Sequence, residues 1–155
     1  MPSSNQVYEQ DFHAWTKLQS NLLEQKQWEQ LDIANLIEEI ESLGRQQQQE
    51  LRNRLSILLG HLLRWEYQPK KRSHSWLSTI RIQRLDIADL LLDNPSFKAY
   101  FSEALTKAYR RALALVTAET ELPLSFFPVV CPYEFSQILD DHFYPGEPSH
   151  LLSDH

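Results

Sequence analysis

The sequence predicts an all-α protein, and three observations carry that prediction. Its 155 residues include 25 leucines but only 4 valines and 3 glycines, and unbranched Leu keeps the rotamer freedom in a helix that β-branched side chains lose. The prolines are confined to the termini and to Pro69, Pro95, Pro123, Pro128 and Pro132, so long stretches run without a residue that removes a backbone donor. Within those stretches apolar residues recur at three- and four-residue steps, the spacing of one helix face. The expected fold is a compact bundle of four main helices plus a short C-terminal helix and a packed proline-rich loop. It forms a single helical domain over 1–145 with a flexible tail over 146–155.

Each element has its own signal. Phe12, Trp15, Leu18, Leu22 and Leu23 give one face to a first helix from Tyr8 to about Lys26. Asp32 is placed to cap a second helix, in which Ile33, Leu36, Ile37, Ile40, Leu43, Leu51, Leu55, Leu58 and Leu62 hold phase as a buried stripe up to Gln68, before Pro69. Gly44 falls on that stripe, where close approach of a neighbouring helix would use it, with a short break as the alternative. Gln46–Gln49 interrupts the stripe as a kink or an exposed turn. Ser73 or Ser75 opens a third helix carrying Trp76, Ile80, Ile87, Leu90 and Leu91. Asn94-Pro95 ends it and, as cap and first helical residue, starts a fourth with Phe97, Phe101, Leu105, Ala108, Ala112 and Leu115. The stretch LPLSFFPVVCP is too rich in proline for helix and too apolar to stay in water, so it is expected to pack across the bundle. A short helix follows from Pro132 to about Asp140.

Composition and charge exclude several classes. With 42% apolar and 23% charged residues the chain is of globular composition. One cysteine, Cys131, rules out both an intramolecular disulfide and a thiolate zinc site; flanked by Val130 and Pro132, it reads as a buried filler rather than a nucleophile. The N-terminus MPSSNQVYEQDF lacks the basic start and apolar run of a secretory signal, and no run is long enough to span a bilayer, so a cytoplasmic protein with no membrane partner is expected. Three glycines are too few for a P-loop or dinucleotide fingerprint, and no cofactor is implied. The net charge of −6 is unevenly laid out: residues 1–50 carry 3 basic and 9 acidic side chains, 51–85 carry 8 and 1, and 86–155 carry 4 and 11. A basic middle lies between two acidic ends.

The segments NLIEEIESLGR (35–45), LLGHLLRWEYQP (58–69), SHSWLSTIRIQR (73–84), NPSF (94–97) and FPVVCP (127–132) occur in an order that resembles the bacterial domain of unknown function 29, common in cyanobacteria. The resemblance runs from about Tyr8 to Pro145. Its matching positions include Asp11, Trp15, Asp32, Glu38, Glu39, Glu41, Gly44, His61, Gln68, Pro69, Ser73, Ser75, Trp76, Thr79, Gln83 and Arg84. It implies a small all-helical domain and leaves activity, cofactor and partner open.

Among chemical constellations, the acidic triplet Glu38, Glu39 and Glu41 fans around its helix at about 140°, 120° and 80° from the stripe centre, given 100° per residue. Glu41 sits i, i+4 from Arg45, the spacing of a helix-surface ion pair. No Glu-x-x-His motif occurs on an expected helix to build a carboxylate-bridged metal site; if a metal is held, Asp11, His13, Glu41 and His61 are the candidates. His61, about 80° off the stripe on the other border, reads as a boundary residue hydrogen-bonded to a neighbour, and with Glu41 is the candidate acid/base group. Residues 64–84, RWEYQPKKRSHSWLSTIRIQR, combine cations, aromatics and serines at a helix start, a set suited to phosphate. The anion-binding candidates are Arg64, Lys70, Lys71, Arg72, Ser73, Ser75, Arg81 and Arg84. The competing reading is internal charge matching, in which Arg81 and Arg84 pair with the acidic triplet and Trp76 is core.

The function expected from these residues is a non-enzymatic helical binding or accessory module, with a protein partner or anionic ligand at 70–75 and self-association through the apolar 122–130 loop. The alternative is a nucleic-acid-associated protein, such as a nuclease, using 64–84. An enzyme of a small phosphorylated metabolite is a third class.

Overall fold

A computed structural model describes residues 2–153; the last two residues of the expected tail, Asp154 and His155, lie outside the described residues. The described residues form six α-helices: α1 Ser4–Gln10, α2 Phe12–Glu24, α3 Ile33–Tyr67, α4 His74–Asp93, α5 Phe97–Thr120 and α6 Phe135–Ile138. No strand occurs among them, so the chain is all-α. It divides into two compact units, Met1–Gln47 and Gln48–His155, with the boundary inside α3.

The single first helix expected over 8–26 is instead two. Ser3 opens α1 with a capping box to Gln6, and Asp11 ends α1 and caps α2, its carboxylate accepting from the Ala14 amide at 3.1 Å. A side chain that bonds the backbone ahead of it favours a helix start over helix continuation. Within this first unit Trp15, Gln19 and Leu22 are the buried residues of α2. The Trp15 indole donates to Asp32 at 3.0 Å, and the Asp32 amide donates to the Gln19 side chain at 2.9 Å. Tyr8 donates its hydroxyl proton to Glu39.

In the second unit α3, α4 and α5 share one core. Leu51, Leu55, Leu58, Leu59, Leu62, Leu63 and Trp65 of α3 meet Trp76, Leu77, Ile80 and Ile87 of α4 and Phe101, Ala104, Ala108, Tyr109, Ala112 and Val116 of α5. Each fully buried Leu contributes about 1.5–3 kcal/mol. Ser73 caps α4, accepting from the Trp76 amide. Asn94 ends α4, bonding back to the Leu90 carbonyl through both its amides, and α5 starts after Ser96; the expected Asn94 cap of α5 is therefore corrected. Val116 rather than Leu115 completes the buried face of α5.

The C-terminal segment closes this core only in part. Phe127, Tyr133 and Ile138 are buried, whereas Leu124, Phe126, Val129 and Val130 are exposed. The expected 132–140 helix shortens to α6, whose first turn is held by a Glu134–Gln137 capping box. Gly146, at φ 86°, turns the chain where a Cβ would meet Arg72 Nη2 at 3.1 Å and Glu66 Cα at 3.2 Å, a backbone conformation that favours glycine. Leu151 and Leu152 pack against the core beyond it.

Candidate functional site

The basic segment 64–84 folds into the α3–α4 corner, and three of its six cations, Arg64, Arg72 and Arg84, have partners within the chain. Arg64 donates to Glu119 at 2.6 Å with its guanidinium 4.4 Å over the Trp76 ring. Arg72 lies 4.9 Å over Trp65 and donates to the carbonyls of Trp65 and Glu147 at 2.8 and 2.7 Å. Arg84 is buried in the core. Its Nε donates to the Ile138 carbonyl at 2.8 Å and its Nη2 to the Gln137 and Phe143 carbonyls at 3.3 and 2.7 Å, with Tyr144 stacked 5.2 Å away. Burial disfavours the charge on both Arg72 and Arg84, lowering their pKa.

The expected pairing of Arg84 with the acidic triplet is therefore corrected. Glu38 and Glu41 take Arg45 at 2.9 and 3.9 Å, Glu39 takes Tyr8, and Arg84 takes peptide carbonyls. The physical reason is helix-end chemistry: the last carbonyls of α6 and the loop after it have no intrahelical donors, and a planar guanidinium with several N–H groups serves three of them at once. Ser73 is occupied as a cap. Lys70 and Lys71, in a 3₁₀ turn over Pro69–Lys71, and Ser75 are exposed. Among the described residues no carboxylate pairs with Lys70, Lys71 or Arg81. Arg81 borders a cavity of about 520 Å³ with Leu85, Asp141, His142, Tyr144 and Leu152.

The acid/base and metal candidates do not converge. Asp11 caps α2, Glu41 faces Arg45, and His61 has Nδ1 2.9 Å from the Ile57 carbonyl. Among the described residues no three His, Cys, Asp or Glu come together as a metal-holding group. His61 lines a crevice of about 170 Å³ with Ser56, Gly60, Arg64, Leu115, Val116 and Glu119. Its pKa is lowered, by burial first and by the Arg64 charge, against the raising effects of the Ile57 carbonyl and Glu119. Cys131 is half-buried and burial raises its thiol pKa.

The feature that residue-type reasoning missed is apolar. Ile33, Ile37, Ile40 and Leu43, expected as core, are 54, 51, 67 and 63% exposed, whereas Leu51, Leu55, Leu58 and Leu62 of the same helix are fully buried. At Gly44, expected to lie under a neighbouring helix, an added Cβ would meet nothing within 4 Å. At 100° per residue, residues 33, 37, 40, 44 and 47 fall within about 40° of one line along the helix. That line holds three isoleucines, Gly44 and Gln47 and no charge.

The family model described as domain of unknown function DUF29 matches residues 7–144. The chain belongs to the DUF29 family. No curated protein and no solved structure matches it. In this DUF29 protein the arrangement offers two kinds of surface: a corner whose arginines are mostly taken up by the chain's own carbonyls, aromatics and one carboxylate, and a bare aliphatic seam on α3. No helix among the described residues is long and apolar enough to cross a membrane.

Proposed function

We propose that this DUF29 protein is a non-enzymatic protein-interaction module that docks a helix of its partner on the seam formed by Ile33, Ile37, Ile40 and Leu43. The single observation that carries this reading is the exposure of Ile33, Ile37 and Ile40 along one uncharged helix line, with Leu43 about 80° to one side, all four more than half accessible. A contiguous apolar stripe rimmed by polar residues is the kind of surface that proteins keep for association, because leaving it in water forgoes about 25 cal/mol per Å² of apolar area. Helices recognise such stripes through anchors at i, i+3, i+4 and i+7, and Ile33, Ile37 and Ile40 stand at i, i+4 and i+7. Gly44 adds a notch between the Ile40 and Gln47 turns into which a bulky partner side chain fits. The nucleic-acid reading has less support, since Arg64, Arg72 and Arg84 are engaged within the chain.

The test uses an environment-sensitive fluorophore at position 40, introduced as Ile40→Cys in a Cys131→Ser background. It is titrated with a synthetic amphipathic helical peptide carrying a Leu stripe and neutral Gln flanks. A saturable blue shift that Leu43→Asp abolishes is the expected result. No response at any peptide concentration contradicts the reading.

A further inference from the structure

Resting on that docking reading, we infer that the partner is a basic amphipathic helix, one whose aliphatic stripe is flanked by Lys or Arg, and not a second copy of this chain. Charge selects the occupant. The first unit, residues 1–47, carries eight Asp or Glu against three Lys or Arg, a net of −5. Glu9, Asp11, Glu24, Glu29, Glu38 and Glu41 are all exposed. The unit's sole cation on α3, Arg45, is already held between Glu38 and Glu41.

Glu41 flanks the seam, about 80° around the helix from Ile33, and its side chain is largely in water. A helix laid along Ile33–Leu43 therefore brings its flanking residues beside Glu41 and into the negative field of the unit. Lys or Arg there gains attraction, Glu or Asp there suffers repulsion, and fields of this kind set partner choice more than raw affinity. A second copy docking face to face would add −5 to −5 and, in an antiparallel pairing about Glu41, would place the two Glu41 side chains on the same side of the joint. The apolar seam supplies contact to either occupant; the charge selects between them.

The experiment uses the full chain with the position-40 fluorophore and two further peptides that keep the same Leu stripe, one with Lys flanks and one with Glu flanks. The Lys-flanked peptide is expected to bind at least tenfold tighter than the Glu-flanked one at 50 mM salt. That ratio falls to about twofold at 0.5 M salt, where the screening length is only a few Å. Glu29→Lys with Glu41→Lys, which takes the unit from −5 to −1, reduces it similarly at low salt. Equal binding of the two peptides, with the Gln-flanked peptide still binding, overturns this inference and leaves the docking reading standing. So does a concentration-dependent dimer of the unlabelled chain by light scattering that Ile40→Asp disperses. Failure of all three peptides removes both.

Discussion

Arg84 Nε donates to the Ile138 carbonyl at 2.8 Å from inside the core, and the same guanidinium reaches Gln137 and Phe143. One side chain of α4 thus fixes the end of α6 and the loop that follows it. Arg84→Met leaves three carbonyls without their donor and is expected to cost about 2–4 kcal/mol, since hydrogen bonds to a charged group are worth about 1.5–3 kcal/mol each and are not additive. Urea unfolding checks the loss, and limited proteolysis checks that cleavage concentrates in residues 137–143. Arg84→Lys, a point charge without the planar fork, is expected to recover only part of it.

Tyr133 is buried and donates to Glu66 at 2.6 Å. Its pKa is raised far above the ordinary 10, by burial first and by the bond to Glu66 next, and burial raises Tyr109 to about 12. The fold therefore favours the protonated phenols. Their contribution is intact below pH 10, and is lost as pH rises above the unfolded value. Thermal midpoints should hold steady at neutral pH and fall on the alkaline side. Tyr133→Phe should cost about 1–3 kcal/mol at pH 7 and make the alkaline fall shallower.

His61 shows the opposite sign. Burial, the largest cause, holds its pKa below 6.5, so the neutral ring is the folded form. The stability this gives is present above pH 6.5 and is lost as pH falls through the folded value. Proton titration of the six histidines by NMR should place the His61 midpoint below 6.5. A His61 resonance titrating above 6.5 contradicts the buried assignment.

Gly44 separates folding from docking. Its missing Cβ faces open space, so Gly44→Ala removes backbone entropy from the unfolded chain without a clash and is expected to stabilise α3 by about 0.5–1 kcal/mol. The same methyl fills the notch on the seam and should weaken peptide binding several-fold. A higher melting temperature with weaker binding is the expected pair of results.

Burial predicts a matching contrast between Ile40 and Leu58. Leu58→Ala should cost about 2–5 kcal/mol. Ile40→Asp should stay within about 0.5 kcal/mol of wild type, as surface substitutions do, with Leu58 fully buried and Ile40 two thirds exposed. Paired unfolding curves read both.

The helices were legible in the sequence wherever local chemistry decides them. Pro69 marks the end of α3, Ser73 caps α4, and the Phe97–Ala112 spacing gives the buried face of α5. Tertiary facts were not legible. Leucine periodicity is the same whether a face is covered or bare, so the 33–43 stripe read as core. Asp11 was invisible as a break because the apolar pattern continues through it while its carboxylate caps the next helix. Charge runs said that residues 51–85 needed partners, but carbonyls carry no formal charge, and so the partners of Arg72 and Arg84 could not be found by matching signs. Lys70 and Lys71 were placed correctly in a turn, where they are exposed.

The most direct measurement of the central claim is an isoleucine-methyl NMR titration of the full chain with the Lys-flanked amphipathic helix. The docking account predicts that Ile33, Ile37 and Ile40 shift together and saturate at one peptide per chain, while Ile80, Ile87 and Ile138, all fully buried, stay in place. Shifts confined to other isoleucines, or none at saturating peptide, contradict it.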